Sequence, residues 1–290
     1  MDHVISHGGL AALVRAQGAE LRSLRDREGT EYIWQAGPEW ARSAPTLFPI
    51  VGRLKDDLLH HGGQSYRLTQ HGFARDRLFS WLERSAESCR LSLCDDAGTR
   101  AVYPFAFRLE LAYAIRDGAL TMTLTVVNTG IEPLPASFGA HPAFNWPLRP
   151  GVPPEDYTLT FAQEEPAPIR RLSAGLLRPE PFPSPVEGRV LTLREDLFEA
   201  DAIIMDQVAS RSVRFSAPAG PGLDIAWDGF RELGLWTKTG ARFLCIEPWL
   251  GMASPVDFDG PFVEKPGVAL IPPGESLSAS MRIKVIPGVD

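Results

Sequence analysis

Four stretches of this sequence set titratable side chains among aromatic, Gly and Pro residues. Cys245-Ile246-Glu247-Pro248-Trp249-Leu250-Gly251 follows the apolar run Phe243-Leu244-Cys245-Ile246. A carboxylate at the end of a buried strand loses hydration, so its pKa rises and it becomes a better base near neutrality. The same pattern also fits a strand-end glutamate paired with an arginine. In Gly139-Ala140-His141-Pro142-Ala143-Phe144-Asn145-Trp146-Pro147, Pro142 holds His141 extended. Phe144 and Trp146 add aromatic surface of the kind that packs on the C–H faces of sugars, so this mixture points to carbohydrate. Gln70-His71-Gly72-Phe73-Ala74-Arg75-Asp76 carries two candidate polar ligands, His71 and Arg75, with Gly72 permitting a tight backbone turn. Backbone groups alone would also satisfy such a histidine. Arg53 ends Pro45-Thr46-Leu47-Phe48-Pro49-Ile50-Val51-Gly52-Arg53, as at a pocket mouth or as a plain surface residue.

Other chemistries find less support. His60, His61, His71, His141 and Glu247 include metal-ligand types, but His60 and His61 are adjacent and on a strand would point to opposite faces. No HExxH or CxxC spacing is present, and neither is a P-loop, a GxGxxG or a G-x-S-x-G elbow. No metal and no cofactor are expected. The net charge of −7 disfavours nucleic acid as a partner. Three cysteines, Cys89, Cys94 and Cys245, are too few and too odd for a disulfide framework. They read as reduced thiols of a cytoplasmic protein. Met1-Asp2-His3-Val4 opens no signal-peptide pattern, and no run of 18 apolar residues would span a membrane.

The elements that must position these residues are strands. Phe107–Ile115 and Leu120–Val126 alternate apolar and polar residues, joined through Arg116-Asp117-Gly118-Ala119, which predicts a half-buried hairpin. Val213–Phe215 and Met281–Val285 repeat the pattern. Shorter candidates are residues 31–35, 65–69, 89–94, 157–161, 190–193, 222–227, 233–237 and 242–246. No long window has helical periodicity, and only 194–200 reads as a helical turn. Gly and Pro number 26 each, above average usage. Frequent turns between short strands predict an all-β fold, a large antiparallel sandwich. The Pro-rich stretches 147–154 and 178–188 read as surface loops, leaving one domain over residues 1–290.

Together the motifs FPIVGRL around Arg53, HGFARD at 71–76, HPAFNWPL at 141–148, LGLWT at 233–237 and CIEPWLG at 245–251 resemble the aldose 1-epimerase (galactose mutarotase) family. The resemblance is closest to its LacX-like branch, which is also similar to the hexose-6-phosphate mutarotases. It implies a supersandwich with the sugar in an open cleft, His141 as general acid and Glu247 as general base. It implies sugar contacts from His71 near the ring oxygen, from Arg53, and from Asp201, with Asp206 a competitor for the last role. Trp236 is read as sugar platform or as core. The galactose mutarotases have an asparagine-rich segment before the arginine, whereas here it is Ile50-Val51-Gly52, which puts galactose preference in doubt. Arg75 could hold a 6-phosphate, against which Asp76 argues.

The implied reaction is interconversion of α and β anomers of an aldohexose by acid–base ring opening. Two other readings compete with it. A non-catalytic carbohydrate-binding sandwich would use Trp236, Phe144, Trp146 and Arg53. A glycoside hydrolase would need two carboxylates about 5–10 Å apart, for which Glu247 and Asp201 are the candidates. The sequence leaves the oligomeric state open.

Overall fold

A computed structural model describes residues 2–288. The hairpin anticipated from alternation is its most regular part. Phe107–Arg116 and Ala119–Asn128 pair antiparallel over their full lengths. Asp117 and Gly118 form the two-residue turn, both at positive φ (51° and 67°), the conformation that matches the twist of a hairpin. Phe107, Leu109, Leu111, Tyr113 and Ile115 are buried while the residues between them are partly exposed. Each such apolar side chain contributes about 1.5–3 kcal/mol by leaving water.

This hairpin sits inside a nine-stranded antiparallel sheet. Its order is Val190–Thr192, Thr158–Phe161, Ser212–Ser216, Gly222–Asp228, Ser276–Ile286, Ala119–Asn128, Phe107–Arg116, Ser88–Cys94 and Ser80–Arg84. A second sheet runs Ile203–Met205, Glu232–Trp236, Phe243–Leu250, Phe138–Ala140, Thr46–Leu47, and Ala143–Asn145 also pairs with Phe243–Leu250. One face of each sheet meets the other in a common core. Leu109, Leu111, Leu124 and Ile225 come from the first, and Phe138, Leu233, Leu235, Leu244 and Ile246 from the second. The fold is thus the large antiparallel β-sandwich expected. Among the described residues no helix is long and apolar enough to cross a membrane.

The structure departs from the sequence reading in several places, including short strands it had not offered, such as Ser80–Arg84, Phe138–Ala140, Ala143–Asn145 and Ile203–Met205. The N-terminal strands Asp2–His7, Leu10–Arg15 and Glu20–Arg25 form a further sheet that was not anticipated, because alanines blur their alternation. Residues 31–35 form only isolated bridges, Glu31 to Arg25 and Ile33 to Phe144. The strand expected at 242–246 runs on as Phe243–Leu250, through Pro248. The helical turn at 194–200 is present as a 3-10 turn, Glu195–Phe198.

Candidate active site

Strand register brings His141 to Glu247. Phe243–Leu250 is flanked on one side by two short segments. In the first Gly139 lies opposite Trp249, and in the second Ala143 lies opposite Cys245. Between them the pairing is interrupted, and His141 falls in the gap at the position opposite Glu247. Pro248 borders this gap, where a strand can dispense with an N–H donor. On the other flank Gly234 lies opposite Glu247 and Trp236 opposite Cys245. His141, Glu247 and Gly234 therefore form one row across three strands, and Gly234 puts no side chain into it. Side chains alternate along Phe243–Leu250. Leu244, Ile246 and Leu250 join the main core, while Phe243 and Cys245 pack with Trp34, Trp40 and Trp236 on the opposite face. Glu247 shares that second face. It stands inside a strand buried along its whole length, not at the strand end that the apolar run before it had implied.

His141 Nε2 lies 3.2 Å from Glu247 Oε2, with both side chains buried. The contact is not an aligned hydrogen bond, since Oε2 and His141 Nδ1 are both without a partner. Burial pushes the Glu247 carboxyl well above its usual range, opposed by the Trp249 side chain and reinforced by Asp201. Burial also lowers the His141 imidazole to about 3, with its own backbone opposing and the Arg75 and Arg42 guanidiniums adding repulsion. In the free site both groups are therefore driven to their uncharged forms. A neutral imidazole beside a carboxylic acid holds the same number of protons as an imidazolium beside a carboxylate. At 3.2 Å the two groups are close enough to be treated as one coupled pair.

His71 stands perpendicular to His141, ring centroids 5.6 Å apart. Its backbone is at φ 65° and Gly72 follows at 68°, where a Cβ would overlap the Phe48 carbonyl. Gly52 N–H donates to His71 Nδ1 at 3.2 Å, leaving Nε2 to carry the proton and serve as a donor. Burial, then His141, Arg75 and Arg42, keep this ring neutral.

Comparison with known proteins bears on what this site is. The sequence model of aldose 1-epimerases matches residues 1–284. The chain belongs to the aldose 1-epimerase family. It is 33% identical over 289 residues to the plasmid-encoded protein LacX of Lactococcus lactis subsp. lactis, covering 96% of this chain and 97% of that one. Its structure is similar to that of a galactose mutarotase related enzyme from Lactobacillus acidophilus (TM-score 0.92, 30% identity, 100% and 99% of the two chains). A galactose mutarotase-like protein from Lactobacillus casei is also similar (TM-score 0.91, 26% identity, 98% and 100%).

Within this family frame the remaining candidates separate. Trp236 meets the His141 ring edge-on at 6.0 Å, so it belongs to the site. Asp201, exposed and at φ 68°, acts on Glu247 electrostatically. Its competitor Asp206 is turned to Arg170 instead, at 3.8 Å. Arg53 is held by both oxygens of Asp57, at 2.7 and 3.0 Å, and stays partly exposed. Arg75 donates to the Gln70 carbonyl, while its buried Nε makes no hydrogen bond and lies 3.8 Å from Asp76. Phe144 and Trp146 correct the sequence reading. Both are buried in the main core, and Trp146 donates to the Pro154 carbonyl, so neither offers a sugar platform.

Three contributors were missed. Trp40 stacks on His141 at 5.1 Å, Arg42 donates to Asp76 at 2.8 Å and repels His141, and Cys245 adjoins Glu247. Trp40 and Arg42 lie in an irregular stretch with no periodicity to flag them. Cys245 was legible only as core. Donor atoms of His141, Cys245 and Glu247 lie within 4.8 Å of one another, a set of metal-ligand types. Burial keeps the Cys245 thiol protonated, however, and a thiol must lose its proton to ligate. His60 and His61 take separate partners, Asp259 and Glu132, as opposite strand faces require.

Proposed function

We propose that this protein is a single-domain aldose 1-epimerase that interconverts the α and β anomers of an aldohexose, with Glu247 as base and His141 as acid. The observation that carries the reading is the imidazole and carboxyl in one cross-strand row, 3.2 Å apart. Ring opening needs such neighbours, because the hydroxyl that loses a proton and the ring oxygen that gains one are both bonded to C1. Glu247 takes the O1 proton and the O1–H electrons form the C1=O1 double bond. The C1–O5 bond breaks, and O5 takes a proton from His141. The open aldehyde rotates about C1–C2 and recloses on its other face with the two roles reversed.

The base starts as carboxylate and the acid as imidazolium, which is the charged arrangement of the same one-proton pair. Sugar hydroxyls and the His71 Nε2–H supply the polar contacts that draw the pair into it. Trp40 and Trp236 flank His141 and offer faces to the apolar side of the pyranose. Arg53 and Asp201 serve as hydroxyl ligands. Anomer exchange followed by NMR or polarimetry over a panel of free and phosphorylated aldoses tests the reading. No acceleration of any of them over buffer ends it.

A second reading, hexose-6-phosphate as substrate, rests on Arg75 and Arg42, both close enough to repel His141 and His71. Asp76 already occupies Arg42 at 2.8 Å, which favours the free sugar. A higher kcat/KM for the phosphorylated sugar, lost in Arg75→Gln, would reverse that order.

A further inference from the structure

Trp249 shares the face of Phe243–Leu250 that carries Glu247, two residues further along the strand. Its indole lies across three strands, held between two glycines. A Cβ on Gly139 would stand 2.5 Å from Trp249 Cδ1. A Cβ on Gly234 would overlap the ring at Cη2 and Cζ2. Leu47, Val51 and Ile204 close the remaining sides. The ring thus has one place to be, and its Cζ2 edge lies over Gly234, the residue opposite Glu247. The Nε1–H adjoins that edge. It is buried and has no hydrogen-bond partner, as is Glu247 Oε2. Two unpartnered groups buried in one site, one a donor and the other an acceptor, complement one another.

We propose that Trp249 is a positioning residue for the base, with its glycine-clamped indole N–H directed to the Glu247 carboxylate whenever that group is charged. The inference rests on Glu247 acting as the base. The indole adds no charge and no titrating group to the site. It is the donor that counters burial and Asp201, which oppose ionisation of Glu247. Asp201 faces it from the loop before Ile203–Met205, and Cys245 adjoins it on its own strand. His141 faces it from the gap, backed by His71, Arg75 and Arg42. Gly139 and Gly234 are then explained together, because a side chain at either would displace the ring.

The test uses the full-length protein with its tryptophans 15N-labelled. Trp249→Phe keeps a ring in the clamp and deletes the donor, and the missing indole resonance assigns Trp249. In the wild type that resonance is expected to shift with pH, and in Glu247→Gln to stay flat. Trp249→Phe is expected to raise the alkaline limb of kcat/KM by about one to two pH units, since a carboxylate stripped of a charge-assisted donor holds its proton longer. A Trp249 resonance that ignores pH in the wild type overturns the proposal, as does a Trp249→Phe rate loss equal at every pH. Because the NMR arm needs no turnover, a titrating indole in a protein without anomer exchange would uphold the contact and end the mutarotase reading.

Discussion

The hairpin Phe107–Asn128 and the site strand Phe243–Leu250 solve the same packing problem in opposite ways. The hairpin buries one face and wets the other, its partner strand is unbroken, and nothing in it does chemistry. The site strand is buried on both faces, and its neighbour on one side is cut in two. The register is the same on both sides of the break, so His141 stands directly across from Glu247, while Pro142 has no N–H to give the ladder. Burial on the second face then strips water from both members of the pair. Regular pairing gives stability, and a fully buried strand beside a break in it brings two titratable groups together away from water.

Glu247→Gln should separate the two regions most sharply. A positioned acid or base is worth about 10²–10⁴-fold in rate, so Glu247→Gln and His141→Asn should each lower kcat/KM for anomer exchange by that much while circular dichroism is unchanged. Glu247→Gln should at the same time stabilise the fold. A carboxyl whose pKa is raised by folding keeps a proton that the unfolded chain gives up, so stability is lost as pH rises from the ordinary carboxylate value through the raised one. The variant should therefore show a higher Tm than the wild type at neutral pH. An equal or lower Tm would mean that burial does not oppose the charge.

Leu111→Ala, in the hairpin core, should do the reverse. A loss of about 2–5 kcal/mol in denaturant unfolding is expected, with activity per folded molecule and its pH profile unchanged. A change in the profile would show that the hairpin tunes the site.

Acid stability offers a finer contrast. Folding lowers the His141 pKa from 6.5 to about 3, so the unfolded chain binds its proton first and stability falls as pH drops through that interval, by a few kcal/mol. His141→Asn should flatten that part of the stability–pH curve, whereas Leu111→Ala should shift the whole curve without altering its slope. The smallest expected effect is at the hairpin turn. Gly118 has open space around it but sits at φ 67°, so Gly118→Ala should cost about 1 kcal/mol through backbone conformation alone and leave the anomer-exchange rate untouched.

The motifs that carried the family resemblance hold both members of the central pair, the second histidine, and one glycine of the Trp249 clamp, Gly234. They do not hold Trp40 or Arg42, which reach His141 from an irregular stretch. Phe144 and Trp146 show the opposite error. Aromatic residues next to His141 looked like a platform, but strand alternation and the Pro154 contact turn them into the core.

Period-two alternation, turn residues and the absence of helical periodicity were enough to specify strands, their pairing in the hairpin and the all-β class, because these depend on residues near one another in the chain. The meeting of positions 141 and 247, the neutral state of both groups and the stacking of Trp40 were decided only in three dimensions. They depend on which strand lies beside which, on the register across a broken edge, and on how much water the second face excludes. None of these is a property of any local stretch.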